Sequence, residues 1–145
     1  MTVIEESVLV KCPVERVFTF TTEAQSWPRW HTTMPEAGQT SEGRVGIGTT
    51  LKGKTRMMGR TSDWTAQLTE YAPNERWGKV ITSGSVVIDD RLLFAPAEDG
   101  TKFTTVYDVK VTGCLKLLSP MVVGAMRKQL KLDLSNLKRI LEAQC

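Results

Sequence analysis

Apolar residues recur at spacings of three and four near the C-terminus, at Val123, Met126, Leu130, Leu134, Leu137 and Leu141. This stripe predicts one long amphipathic helix over residues 120–141. Arg127, Lys128, Lys131, Ser135, Lys138 and Arg139 take up much of its remaining circumference. At about 1.5 Å per residue the helix spans roughly 30 Å, the width of a small domain. It must therefore lie across other structure, and the upstream pattern supplies strands for it to lie on.

Residues 2–11 carry Val3, Ile4, Val8, Leu9 and Val10, a β-rich composition with loose alternation. Pro13 stops this strand and opens a short helix over 13–20, where Val14, Val17 and Phe18 share a face. A further helical turn or two is expected within 23–30, kept short by the proline of Trp27-Pro28-Arg29-Trp30. From 31 to 113 the chain reads as successive antiparallel strands. Over 49–58, Leu51, Gly53, Thr55 and Met57 face one way and Lys52, Lys54 and Arg56 the other, so one face is covered and one is wet. Trp64, Ala66 and Leu68 repeat the pattern, and Trp77 with Ile81 marks the next strand. Leu92 with Phe94, then Phe103, Thr105, Tyr107, Val109 and Val111, line the last two. Turns are expected at Pro73-Asn74, Ser83-Gly84 and Glu98-Asp99-Gly100, the last of a type that glycine permits. Gly113 ends the sheet, and Ser119-Pro120 either begins the main helix as cap plus first residue or, the preferred reading, kinks a helix that starts from about 115. The order is strand, two short helices, about six strands, long helix: a single α+β domain over residues 1–145.

Composition narrows the function classes. A net charge of +3, without a clustered basic run, argues against a nucleic-acid partner. No stretch approaches the roughly 20 apolar residues of a membrane span. The opening Met-Thr-Val-Ile-Glu-Glu lacks the pattern of a secretory signal. Cys12, Cys114 and Cys145 are odd in number and far apart, which fits free thiols in a reducing cytoplasm, so a cytoplasmic location is expected. With one histidine and no close Cys/His pair, no metal site is expected. Gly43-x-x-Gly46-x-Gly48 runs into a strand rather than a helix, reads as a turn or bulge, and leaves no cofactor expected.

Several segments together resemble the helix-grip superfamily (SRPBCC, or START-like), which includes START lipid-transfer domains, birch-pollen-allergen-like proteins and polyketide cyclase/dehydrase-like proteins. They are the strand Ile4 to Val10 running into Cys12-Pro13-Val14-Glu15-Arg16-Val17-Phe18, then Trp27-Pro28-Arg29-Trp30, Val45-Gly46-Ile47-Gly48-Thr49 and Thr69-Glu70-Tyr71-Ala72-Pro73. Gly100-Thr101-Lys102 and the ending from Leu134 to Glu142 continue the series. The resemblance implies a curved antiparallel sheet of about seven strands wrapped around the last helix, with two short helices after the first strand. It also implies a cavity between sheet and helix that binds lipids, sterols, polyketides or hormones, with cyclisation or dehydration in a minority of members. The superfamily has no universal catalytic motif, so no catalytic residue is carried over.

If the alternation holds, Met57, Trp64, Trp77, Phe94, Phe103, Tyr107 and Met126 face the interior between sheet and last helix. Ligand pockets are lined this way, and so are filled cores. Asp90 shares the parity of Leu92 and Phe94, so it serves as a ligand anchor or acid–base group, or else turns outward or pairs with Arg56 or Arg91. Tyr107 presents its hydroxyl to the pocket or is hydrogen-bonded within the core, and His31, placed where helix gives way to strand, stands at the cavity mouth or is structural or solvated. The leading expectation is a binding protein for a small hydrophobic molecule held by Met57, Trp64, Trp77, Asp90, Phe94, Phe103, Tyr107 and Met126. The alternative is a cyclase or dehydratase using Asp90, Tyr107 and His31, provided that they converge on one site. A third reading is an interaction module, with a homodimer left open. The basic outer face of the last helix suits anionic lipid, and a solvated helix face accounts for it equally.

Overall fold

The computed structural model describes residues 2–57 and 59–145, with Met57 described in its backbone only. The expectation for the Met57 side chain lies outside the described residues. The chain runs β1 (Thr2–Val10), α1 (Val14–Thr22), a 3-10 turn (Ala24–Ser26), α2 (Trp27–Trp30), β2 (Glu36–Gln39) and β3 (Thr50–Met57). It continues through β4 (Arg60–Ala72), β5 (Arg76–Ser83), β6 (Val86–Ala97), β7 (Gly100–Val111), a 3-10 segment (Gly113–Leu118) and α3 (Ser119–Gln144). The strands form one curved sheet in the order β1-β7-β6-β5-β4-β3-β2, with every neighbouring pair antiparallel. Strands β2 to β7 therefore pair with their sequence neighbours, and β1 joins the sheet beside the last strand.

Two glycines matter for close approach. The left-handed residue of the β6–β7 turn is Asp99, at φ 69°, not Gly100. Gly100 is needed for a different reason: a Cβ there would collide with the carbonyl of Val10, where β1 crosses the turn. At Gly53, paired across the ladder with Trp64, a Cβ would strike the Trp64 ring and the carbonyl of Glu36. A bare backbone at that point lets the indole lie flat over β3.

The helical end differs from the expectation in one respect. The chain is helical from Gly113, but its first six residues are a 3-10 segment and α3 proper starts at Ser119, with Pro120 in the first turn. The kink is thus a change of helix type, with proline placed where its missing N–H leaves no hydrogen bond unmade. Helix α3 packs chiefly on β1 and α2. Its C-terminal half buries Leu130, Leu134, Leu137 and Leu141, the predicted stripe. Polar groups fasten the same end: Lys138 Nζ donates to the Leu9 carbonyl at 2.7 Å, and the Lys11 N–H donates to Glu142 Oε2 at 2.9 Å.

The cysteine expectation is overturned for two of three residues. Cys12 and Cys145 form a disulfide with their Cα atoms 5.7 Å apart, and Cys114 is the free, exposed thiol. Distance in sequence misled here, because β1 leads to the place where α3 ends. With Cys12 and Cys145 joined, the cysteines no longer point to a reducing cytoplasm. No helix among the described residues is long and apolar enough to cross a membrane.

Candidate functional site

Antiparallel register turns the inner face of the sheet into a grid. Phe94 on β6 faces Phe103 on β7, which faces Val8 on β1. The next row is Trp77, Leu92, Thr105 and Glu6, and the one after is Leu68, Lys79, Asp90, Tyr107 and Ile4. A further row holds Ala66, Ile81, Ile88 and Val109. Three neighbouring strands thus place Lys79, Asp90 and Tyr107 side by side, with mostly apolar rows on both sides. Period-two alternation makes this unavoidable once the three share parity.

Asp90 points inward and is 4% exposed. Its partner is neither Arg56 nor Arg91 but Lys79, whose Nζ donates to Asp90 Oδ2 at 2.7 Å. The ammonium also lies 4.5 Å from the ring centres of both Trp27 and Trp77. A buried charge is tolerated only when paired and hydrogen-bonded, and the two indole faces add attraction for the cation. The row is not saturated. Asp90 Oδ1, Trp77 Nε1, Trp64 Nε1, Trp30 Nε1 and Thr105 Oγ1 are buried with no hydrogen-bond partner among the described residues. Each such atom costs about 1–3 kcal/mol when left alone, and four of the five stand on the inner face of the sheet.

Opposite this row, α3 carries a carboxylate that interrupts its apolar stripe. Asp133 is 3% exposed and accepts from His31 Nδ1 at 3.0 Å and from Gln129 Nε2 at 2.8 Å. The Thr32 N–H and hydroxyl approach Asp133 Oδ1 at 3.3 and 3.4 Å. Because a carboxylate only accepts, His31 Nδ1 is the donor in this hydrogen bond. The imidazole stacks on Trp30 with centres 3.7 Å apart. Tyr107 stands between the two carboxylates electrostatically: desolvation first, then the charges of Asp90 and Asp133, push its hydroxyl well above the ordinary 10.0. Of the three groups proposed from sequence as acid–base candidates, Asp90 and Tyr107 are ladder partners in the sheet, while His31 is bonded to Asp133 on α3.

The aromatic expectations need correction in what the rings meet. Trp64, Trp77, Phe94 and Phe103 are buried as the alternation implied. They face the short helices rather than α3 alone. Trp27 lies 6.1 Å from Trp64 and 5.6 Å from Trp77, Phe18 lies 5.1 Å from Phe94, and Trp30 lies 6.3 Å from Phe103. That end of the interior is filled by α1 and α2. The opposite end is less tightly covered: Tyr107, Ile81, Ile88, Val122 and Met126 are only half-buried. Two open hollows lie elsewhere. One of about 460 Å³ lies over the outer face of β3–β5 at Thr50, Lys52, Thr65, Gln67 and Thr82, and one of about 240 Å³ lies beside the β6–β7 turn. Among the described residues no cluster of three His, Cys, Asp or Glu side chains is placed to hold a metal.

Known proteins match this geometry. The family described as "Polyketide cyclase / dehydrase and lipid transport" matches residues 1–142. No curated protein is similar enough to count as a relative. Among solved structures, TTHA0849 from Thermus thermophilus superposes with a TM-score of 0.84 at 17% identity, covering 99% of both chains. The ZhuI aromatase/cyclase from Streptomyces sp. R1128 superposes with a TM-score of 0.85 at 13% identity, covering 97% of this chain and 93% of that one. Ara h 8.0201 does so with a TM-score of 0.73 at 15% identity, covering 98% of each. Identities this low speak for the helix-grip fold alone. The family match spans nearly the whole chain, and the protein belongs to the polyketide cyclase/dehydrase and lipid transport family.

Proposed function

We propose that the protein binds a small hydrophobic molecule bearing oxygen atoms, held between the inner face of the sheet and the N-terminal half of α3. One observation carries this reading: the buried row Lys79–Asp90–Tyr107, with unpartnered indole N–H groups and a free carboxylate oxygen around it. A purely hydrocarbon guest would leave those polar atoms unmet, whereas hydroxyl and carbonyl groups on a greasy frame would meet them. Met126 and the half-buried Val122, Ile81 and Ile88 form the apolar side of the site, and Trp64 and Trp77, covered by Trp27, close it at the filled end. Phe94 and Phe103 continue the filled end on the same inner face, against Phe18 and Trp30. Trp27 fills the far end, so a guest enters by the less covered end of α3.

Native mass spectrometry of freshly purified protein, with tryptophan-fluorescence titration against lipid, sterol and polyphenol panels, tests this directly. Saturable binding of an oxygenated ligand, weakened by Asp90→Asn, is the expected outcome. No saturable binder in any panel would count against it. A second reading, acid–base catalysis on a polyketide-like substrate, draws on Asp90, Tyr107 and the His31–Asp133 pair. It predicts turnover of a bound polyketide-like compound that His31→Gln abolishes while binding persists.

A further inference from the structure

The 3-10 segment Gly113–Leu118 holds three leucines yet buries none of its residues. Leu117 is 90% exposed, Leu118 49% and Leu115 40%, and Met121 in the first turn of α3 is 55% exposed. Isolated apolar residues on a surface need no explanation, but here four exposed ones fall within seven positions. The base of the segment is held firmly. The N–H of Thr112 donates to the Ser85 carbonyl at 2.8 Å, and Gly113 turns the chain with φ 68°. The patch is therefore a projection built on the β5–β6 turn.

Charge is segregated onto the same stretch. Residues 109–132 carry five basic side chains, Lys110, Lys116, Arg127, Lys128 and Lys131, and no acidic one. The whole chain stands at +3, so the rest of it sums to −2. Lys131 is answered by Glu6 at 3.7 Å. Lys110, Lys116, Arg127 and Lys128 are exposed, and Lys116 sits among the exposed leucines. Apolar side chains flanked by cations suit a surface that is anionic at its plane and oily just beneath it.

We propose that Leu115, Leu117, Leu118 and Met121, with Lys116 among them, dock on an anionic phospholipid bilayer. The leucines enter the headgroup–acyl boundary while the lysines stay in the headgroup layer. The segment leads directly into the loosely covered N-terminal half of α3, so docking would set that end of the interior against the lipid. The docking itself stands independently of what the interior binds.

The test uses the full chain and vesicles of phosphatidylcholine alone or with about 30% phosphatidylserine, a mimic of an anionic leaflet. Co-sedimentation is expected with the anionic vesicles, and weakly or not at all with the neutral ones or at high salt. Leu117→Asp should lower the partition on the order of ten- to a hundredfold, the scale of one lost leucine burial, and Lys116→Gln by about fivefold. Because both side chains are solvent-exposed, circular dichroism should find each variant folded. An environment-sensitive dye on the free Cys114 should shift to the blue with anionic vesicles only. Equal binding to both vesicle types, or binding to neither, would overturn the proposal. So would a dimer in sedimentation equilibrium that Leu117→Asp splits, since the patch would then be a protein interface.

Discussion

The two ends of α3 obey opposite rules. From Leu130 onward the helix sets four leucines into the core, and its end is fixed by a disulfide, by Lys138 and by Glu142. Before Leu130 the only buried residue of the helix is Val123, and the 3-10 segment leading into it buries none. A uniform helix would be equally anchored along its length. This one is anchored mainly at its C-terminal end. Local stability follows the density of buried apolar contacts, so motion belongs at the N-terminal end.

Truncation on the two sides gives the sharpest contrast. Leu137, fully buried, should lose about 2–5 kcal/mol on change to alanine, whereas Leu117→Ala should stay within about 0.5 kcal/mol. Urea denaturation measures both, and similar losses would erase the division. Next in size is Cys145→Ser, which opens the clamp; it should lower stability by about 2–4 kcal/mol, and reduction of the wild type should do the same.

Two pH effects follow. The Tyr107 hydroxyl is held protonated in the folded chain by desolvation and by Asp90 and Asp133, while in the unfolded chain it ionises near the ordinary 10.0. Its contribution is fully present below that value and is lost as pH rises through the higher folded value. The wild type should therefore lose stability in strong alkali more steeply than Tyr107→Phe, as thermal melts across that range would show. The smallest effect belongs to the clamped end. The Glu142 carboxyl is lowered from its ordinary 4.5 chiefly by the hydrogen bond from Lys138 and then by the Lys11 N–H. Its help is present above the ordinary value and fades as pH falls through the folded one. Glu142→Gln should remove that part of the acid sensitivity and leave a slightly flatter melting profile between neutral and acid pH.

The division between rows and ends was partly legible in the sequence. Strand alternation correctly turned Trp64, Trp77, Asp90, Phe94 and Phe103 inward, because a side-chain period of two leaves no choice once a face is buried. The same rule applied to Lys79, which shares the parity of Trp77 and Ile81, yet a lysine on an inner face reads as an error until its carboxylate is found. Asp133 carried a similar signal, lying three residues after Leu130 and four before Leu137 on the apolar stripe. Pairing across elements is what the pattern could not supply: Lys79 with Asp90, His31 with Asp133, Cys12 with Cys145. Trp27 and Trp30 sit in a four-residue helix, too short for periodicity to assign a face, so their filling of the aromatic end was hidden.

The central claim is that an oxygenated hydrophobic guest meets the unsatisfied polar atoms of the inner face, and indole proton resonances report on it most directly. In nitrogen-15 spectra of the protein titrated with a ligand found by the binding panels, the Trp64 and Trp77 indole signals should move to saturation together. The Trp27 indole, which already donates to the Thr21 carbonyl at 2.8 Å, should move far less. Saturable binding that leaves the Trp64 and Trp77 signals in place would put the guest elsewhere and contradict the claim.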